Sequence, residues 1–295
     1  MTAAATAADR RELARSFARD RVALAALIAL GIVIVAAIFA SVISPQNPYN
    51  LAELDILDAK LAPGAQSVEG KTFWLGTDEQ GRDMFSAILY GLRISLGVGI
   101  VSTLLALTAG LAIGLAAGYA GGWVDALVMR IVDLQLSFPA ILIALVLLAL
   151  IGQGVDKIVI ALVTVQWAYY ARTVRGSVLV EKRKEYVDAA ACLAYSRWRI
   201  LYRHILPNCL PPLIVVATVQ VAHAIALEAT LSFLGLGMPI TSPSLGLLIA
   251  NGYAHLLSGR YWMSFFPGVA LLLTIVAINL VGDRLRDVLN PRLAR

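Results

Sequence analysis

The chain alternates between long uncharged apolar runs and shorter segments that carry its charges. Because about 20 helical residues cross the hydrocarbon core of a bilayer, such runs are candidate membrane spans. We predict six transmembrane helices, at 22–43, 94–117, 134–155, 158–178, 210–233 and 261–282. The fourth carries Arg172 and Arg175 near one end, where long cationic side chains can extend to the membrane surface. Pro139 is predicted to kink the third.

The spans divide the chain into segments of different character. We assign a cytoplasmic N-terminal tail (1–21), a first transmembrane helix (22–43), an external loop (44–89), a five-helix core (90–283) and a cytoplasmic C-terminal tail (284–295). Within the core, residues 185–207 form a cytoplasmic segment between the fourth and fifth spans. The prediction is an all-α, polytopic membrane protein.

The positions of the basic residues set the orientation. Of the 24 Lys and Arg residues, 17 fall in the two tails and in the loop 171–207, and five fall on the opposite face. Because basic loops stay in the cytoplasm, both termini are predicted to be cytoplasmic. The net charge of +5 is then a consequence of topology. It gives no indication of nucleic acid binding, which would need a separate basic soluble domain.

Composition excludes several classes of protein. Hydrophobic residues make up 59% of the chain, charged residues 15%, and the mean hydropathy is +0.79. Soluble domains average roughly 45–50% apolar and about 25% charged residues, so a soluble enzyme is excluded. Cys192 and Cys209 are too few for a disulfide framework. His223 and His255 lack neighbouring ligands, so no metal site is predicted. Without a GxxxxGK[ST] loop, the chain is not expected to bind ATP or another cofactor itself.

The cytoplasmic segment 185–207 has the sequence EYVDAAACLAYSRWRILYRHILP. Its apolar residues recur at three- and four-residue steps, which predicts an amphipathic helix that Pro207 ends. Glu185 and Asp188 at the start suit the helix dipole. By composition alone, such a helix either lies on the anionic inner leaflet or docks against another protein.

Three features inside the spans have structural or functional interpretations. Glu228 is the one charged residue between 209 and 259, and it either faces a pathway or partner subunit or caps the following turn. Gly110, Gly114 and Gly118 are predicted to form a smooth face for close helix packing. Arg130 and Asp133, three residues apart, are predicted to form an ion pair.

The order of residues in the cytoplasmic segment resembles the coupling motif of ABC importer permeases. That motif has Glu-Ala-Ala, then Gly, then Ile-x-Leu-Pro. Here it stands as Asp188-Ala189-Ala190, Ala194 at the Gly position, His204 at the Ile position, and Leu206-Pro207. Further motifs in order are LGTDEQGRD (75–83), AGYAGGWVD (117–125), EATLSFLGLG (228–237) and GDRLRDVLNPRL (282–293). From about residue 22 onward, the chain is similar to the C-type permease subunit of dipeptide, oligopeptide and nickel importers.

The resemblance implies a type I ABC importer permease fold in the bacterial cytoplasmic (inner) membrane and a non-catalytic role. It implies four kinds of partner: a second, homologous permease; one or two ATPase subunits that bind ATP and Mg; an external solute-binding protein; and the bilayer. The implied ATPase-coupling residues are Glu185, Asp188, Ala189, Ala190, Ala194, Trp198, Leu206 and Pro207. Trp198 would be the anchor buried in the ATPase cleft. Because alanine replaces glycine at position 194, the family's bend is expected to be shifted or replaced by continuous helix.

Two other classes of function remain as alternatives. An ion-coupled secondary transporter would use Glu228 as a proton site and need no ATPase. A structural membrane scaffold would transport nothing. Neither needs a long amphipathic cytoplasmic helix with this order of residues, so the importer permease is the favoured hypothesis.

Overall fold

The computed structural model describes residue 17 and residues 20–67, 70–242 and 244–289. Most of the predicted N-terminal tail and the end of the C-terminal tail therefore lie outside the described residues. The described part is mainly helical. Its helices are α1 (Arg21–Ile38), α2 (Ala40–Ile43), α3 (Met84–Ala120), α4 (Gly122–Ser137), α5 (Ala140–Ile151), α6 (Val155–Glu181), α7 (Glu185–Cys192), α8 (Arg197–Ile200), α9 (Leu206–Phe233), α10 (Leu245–Tyr253) and α11 (Trp262–Leu289). Two short strands, β1 (Ala65–Gln66) and β2 (Thr72–Phe73), pair antiparallel in the loop before α3.

Four helical stretches in the described part are long and apolar enough to cross a membrane, namely Arg21–Ile38, Met84–Ala120, Arg197–Phe233 and Trp262–Val288. They contain the predicted second and fifth spans and overlap most of the first and sixth, although the helix of the first ends at Ile38 rather than at residue 43. The bent pair α4–α5 adds a fifth candidate if it is counted as one span. Helix α6, where the fourth span is predicted, is 27 residues long but less apolar, so the total of six stays a prediction.

The third predicted span, 134–155, is not one helix. Helix α4 ends at Ser137, α5 begins at Ala140, and their axes meet at 88°. Pro139 lacks a backbone N–H and forces the preceding Phe138 into an extended conformation, with ψ of 143°. The predicted kink is therefore a full break. The 12 residues of α5 span only about 18 Å, less than the ~30 Å of the hydrocarbon core.

Helices α3 and α6 form the centre of the molecule, and glycines bring their backbones together. A Cβ atom at Gly114 would lie 2.5 Å from the carbonyl oxygen of Ala171, and one at Gly118 would lie 3.0 Å from the side chain of Val178. A Cβ atom at Gly110 would collide with Tyr170. The predicted packing face is confirmed, and the close approach excludes any larger residue.

The two arginines of α6 form ion pairs with the neighbouring helix α4. Arg175 pairs with Asp125 at 2.6 Å, and Arg172 pairs with Asp133. The predicted ion pair between Arg130 and Asp133 is wrong, because the carboxylate of Asp133 is directed to α6 instead. Ion pairing with α4 explains how α6 keeps two arginines in a largely apolar protein.

The loop before α3 is fastened to the rest of the chain by its motif at 75–83. Arg82 is buried, its Nε lies 2.6 Å from Oδ2 of Asp78, and its Nη1 donates to the carbonyl oxygen of Ile240 at 3.0 Å. Burial raises the pKa of the Asp78 carboxyl, and the nearby Arg82 opposes that shift. The indole Nε1 of Trp262 donates to the carbonyl oxygen of Thr77 at 3.2 Å. The loop is thereby tied to the segments on both sides of α10.

Candidate functional site

The cytoplasmic segment 185–207 contains two short helices joined by a sharp bend. Helix α7 ends at Cys192, and α8 begins at Arg197, whose N-cap Ser196 accepts a hydrogen bond from the backbone N–H of Arg199 at 3.3 Å. Between them, Ala194 adopts a left-handed conformation with φ of +55°. The expectation that alanine would shift the bend or replace it with continuous helix is wrong, because the bend stays at position 194 with its backbone strain.

The second half of the segment runs into the next span. Helix α8 passes through a π-helical turn, Leu201–Ile205, directly into α9. Pro207 does not end the helix as predicted, because it closely follows the π-helical turn, and this wider turn changes the hydrogen-bonding pattern where the proline lacks an N–H. The bend at position 194 is therefore joined to α9 through helical backbone.

One face of this helical bend is exposed and bears most of the implied coupling residues. Exposed are Glu185, Asp188, Ala189, Ala194, Trp198 and Pro207; Leu206 is half-buried and Ala190 is buried. Trp198 is 69% exposed and stacks on Tyr202 with ring centroids 5.8 Å apart, and Leu193 is 67% exposed beside the bend. We call Glu185, Asp188, Leu193, Trp198 and Tyr202 the docking surface.

The opposite face is packed against the transmembrane helices. Val187 and Ala190 of α7, together with Ile200 of α8, belong to one buried cluster that includes Val178 of α6 and Leu213 of α9. This apolar seat holds the docking surface against the ends of two long helices. Burial of the larger side chains among them, such as Val187 and Ile200, contributes roughly 1.5–3 kcal/mol each to stability.

Hydrogen bonds connect the two ends of the cytoplasmic segment 185–207 to each other and to α6. The hydroxyl of Tyr186 donates to Oε2 of Glu181 at 2.6 Å, and Nδ2 of Asn208 donates to the same hydroxyl oxygen at 3.1 Å. Lys184 pairs with Glu181 at 2.6 Å. No pattern in the sequence predicts Tyr186, Glu181 or Asn208 as site residues. Glu181 and Tyr186 are 5 residues apart, but Asn208 follows Tyr186 by 22 residues, and no spacing reveals that the three side chains meet.

A groove of about 1010 Å³ opens between α6, α9 and α11. Its wall combines valines and prolines with small, polar and charged residues, such as Gly176, Ser177, Glu181, Asn208, Asp283 and Arg286. The amide nitrogen Nε2 of Gln220, another wall residue, is buried and has no hydrogen-bond partner among the residues that the structure describes. The larger part of this wall is apolar, and its polar and charged residues offer hydrogen-bonding partners to water or to a solute.

Glu228 lies inside the chain. It is completely buried, and its carboxyl oxygens lie 2.8 Å from the hydroxyls of Ser95 on α3 and Ser232 on α9. These contacts link the two helices, and a role facing the pathway or a partner stays a prediction. Among the residues that the structure describes, no group of three or more His, Cys, Asp or Glu side chains could hold a metal ion.

Comparison with known proteins identifies the family. Residues 110–295 match the model of the binding-protein-dependent transport system inner membrane component, and residues 10–63 match the N-terminal transmembrane domain of oligopeptide transport permease C. The dipeptide transport system permease protein DppC of Escherichia coli K12 is 41% identical over 278 residues, which cover 94% of this chain and 91% of the relative. The glutathione transport system permease protein GsiD of Pectobacterium atrosepticum is 38% identical and covers 96% of this chain and 91% of its own length.

The fold has a counterpart among solved structures. The inward-facing MetNI methionine ABC transporter matches with a TM-score of 0.58 and 20% identity, over 70% of this chain and 98% of that one. The family model and the curated relatives support the ATP-driven importer and give no support to the ion-coupled alternative. Members of this family lie in the inner membrane and work with ATPase subunits and a partner permease. The chain belongs to the family of binding-protein-dependent transport system inner membrane components, and it is a non-catalytic permease subunit of an ABC importer.

Proposed function

We propose that this chain is one of two related permeases in an ATP-driven importer of short peptides or peptide-like solutes. The importer lies in the bacterial cytoplasmic membrane, and both termini of the chain are cytoplasmic. One or two kinds of ATPase subunit bind ATP and Mg inside, and a solute-binding protein delivers the substrate outside. The substrate class rests on the relatives, which are named for dipeptide, di/tripeptide and glutathione transport.

The docking surface is the single observation that carries the coupling role. Trp198 and Tyr202 form an exposed aromatic stack on a seat that continues as helix into α9. Large aromatic side chains dominate binding energy when a partner pocket covers them. An ATPase subunit that encloses this stack would pull on α9 when it closes, and that rigid-body motion would alternate access to the pathway.

The groove supports the assignment of peptide-like cargo. Its small and hydrophilic wall residues, such as Gly176 and Ser177, leave room for water around a chain of amide groups. Asp283 and Arg286 offer both signs of charge, as the two termini of a free peptide require. Outside, residues 44–89 and 238–260 are the surfaces available to the solute-binding protein.

The first test replaces the aromatic anchor. Trp198→Ala in the tagged chain should weaken ATPase attachment by about 30-fold, since truncation of a central anchor typically costs at least about 2 kcal/mol. Quantitative mass spectrometry of the gently extracted complex measures the ATPase recovered per partner permease. Trp74→Ala is the matched control, because Trp74 is equally exposed at 74% but lies in the external loop. Full ATPase recovery with Trp198→Ala would refute the docking surface.

The energy source and the cargo are tested in the reconstituted wild-type importer. Uptake of a radiolabelled dipeptide should require ATP and the solute-binding protein, and it should survive collapse of the proton gradient. Glu228→Gln should leave that uptake largely unchanged across pH. A pH-dependent loss of uptake in Glu228→Gln, with ATP present, would support ion coupling instead.

A further inference from the structure

The phenol of Tyr186 lies where three helices meet. Glu181 is the last residue of α6, Tyr186 is in the first turn of α7, and Asn208 is in the first turn of α9. The hydroxyl of Tyr186 donates to Glu181 at 2.6 Å and accepts from Asn208 at 3.1 Å. One side chain thus ties both ends of the cytoplasmic segment to the helix that begins the docking surface.

The hydroxyl of Tyr186 has two acceptors within reach, Oε2 of Glu181 at 2.6 Å and the carbonyl oxygen of His204 at 3.3 Å. A tyrosine hydroxyl has one proton to donate, and the shorter contact, with Glu181, is the charge-assisted kind, which is roughly twice as strong as a neutral hydrogen bond. Burial and the neighbouring Glu181 raise the pKa of Tyr186 to about 12, so the hydroxyl keeps its proton at physiological pH. Lys184, at 2.6 Å, balances the charge of Glu181.

The junction also connects two functional surfaces. Glu181 and Asn208 both line the groove between α6, α9 and α11. Tyr186 follows Glu185 of the docking surface directly in the chain. The hydroxyl therefore lies between the face available to the ATPase and the walls of the groove.

We propose that Tyr186 is a positioning residue that passes displacement of α7 to both α6 and α9, so that the groove widens and narrows with the ATPase cycle. This role rests on the proposed docking to an ATPase. The apolar seat beneath α7 is non-directional and allows sliding. Hydrogen bonds to two helices at once are directional, and they weaken steeply when stretched or bent. A planar ring with few rotatable bonds makes the connection stiff.

The test measures groove movement and does not depend on the cargo. A cysteine at Ser177→Cys, in a Cys192→Ser background, reports groove accessibility through its labelling rate with a water-soluble maleimide. Membranes containing the whole importer are labelled without nucleotide and after trapping with ATP, Mg and vanadate. We expect the parent reporter to change its rate on trapping. Tyr186→Phe should shrink that change about tenfold, the loss expected when a charged hydrogen bond is removed, while the ATPase still co-purifies.

Tyr195→Phe is the matched control. Tyr195 lies in the same segment and stacks on His204, but its hydroxyl forms no hydrogen bond within the part of the chain that the structure describes. This control should respond to trapping as the parent does. A full response in Tyr186→Phe would overturn the role of Tyr186. If the labelling rate of the Ser177→Cys parent did not change on trapping, the coupling function itself would be refuted.

A second variant covers the case in which Tyr186→Phe does not assemble. Glu181→Gln keeps an acceptor for the tyrosine hydroxyl but removes the charge, so it should reduce the response to trapping only partly. The effects of Glu181→Gln and Tyr186→Phe should be non-additive, because both act on one hydrogen bond. Additive effects, or an unchanged response in Glu181→Gln, would contradict the proposal.

Discussion

Ala194 holds a backbone conformation that glycine adopts freely and alanine does not. Its φ of +55° places Cβ close to the following carbonyl, which costs about 1 kcal/mol. The surrounding contacts maintain it: the N–H of Tyr195 donates to the carbonyl oxygen of Ala190 at 3.2 Å, and Ser196 caps α8. The turn between the two short helices therefore forms even though alanine disfavours the left-handed conformation that it requires.

Ala194→Gly should raise the free energy of unfolding by about 1 kcal/mol, because glycine removes the steric cost at positive φ. Thermal unfolding of the purified importer measures the gain. The paired control is Ala189→Gly, an exposed position inside α7, which should lose roughly 0.5–1 kcal/mol. If both substitutions destabilised the protein equally, the strain at position 194 would be refuted.

At the scale of elements, the contact of α3 with α6 depends on the absence of side chains. Gly110, Gly114 and Gly118 occupy one face of α3, and atoms of α6 fill the space that their Cβ atoms would need. Lipid tails are as apolar as leucine, so helices in a membrane associate through close packing more than through the hydrophobic effect. On the side of α6 that faces α4, the two ion pairs add directional contacts.

Gly114→Ala should destabilise the protein by about 1–3 kcal/mol, because its new methyl group would meet the carbonyl oxygen of Ala171 at 2.5 Å. The matched control is Gly97→Ala on the same helix, where no atom lies within 4 Å of the added carbon. That substitution should be neutral or stabilise by up to about 1 kcal/mol. Thermal unfolding of both variants decides the point, and equal losses would contradict a specific role for the glycine face.

For the whole molecule, the proposed orientation in the membrane separates the surfaces by function. We propose that the docking surface and the groove mouth lie on the cytoplasmic side with the basic loops, and that the loop fastened by Arg82 lies outside. Helix α3 joins the two sides, and its 37 residues extend for about 55 Å. This length exceeds the ~30 Å of hydrocarbon, so α3 is long enough to extend beyond the membrane core.

Two exposed tryptophans at opposite ends of α3 test this orientation. Trp74 is 74% exposed before the helix, and Trp123 is 76% exposed after it. In a Cys192→Ser background, Trp74→Cys should react with a membrane-impermeant maleimide in intact spheroplasts. Trp123→Cys should react only after lysis. The reverse pattern would invert the topology and place the docking surface outside.

The sequence by itself determined the helical membrane class, most of the spans and the family, because these depend on long apolar runs, on basic loops and on motifs local in the chain. Predictions from local sequence were wrong at three positions. At Pro139 the predicted kink is a full break between two helices, and at Ala194 and Pro207 the surrounding packing overrode the local preference of the residue.

Only the tertiary structure decided which side chains meet across distant segments. Asp133 pairs with Arg172 of another helix, and Tyr186 joins Glu181 to Asn208. Such contacts depend on the relative placement of whole helices, which many weak packing interactions set together. No spacing along the chain encodes that placement.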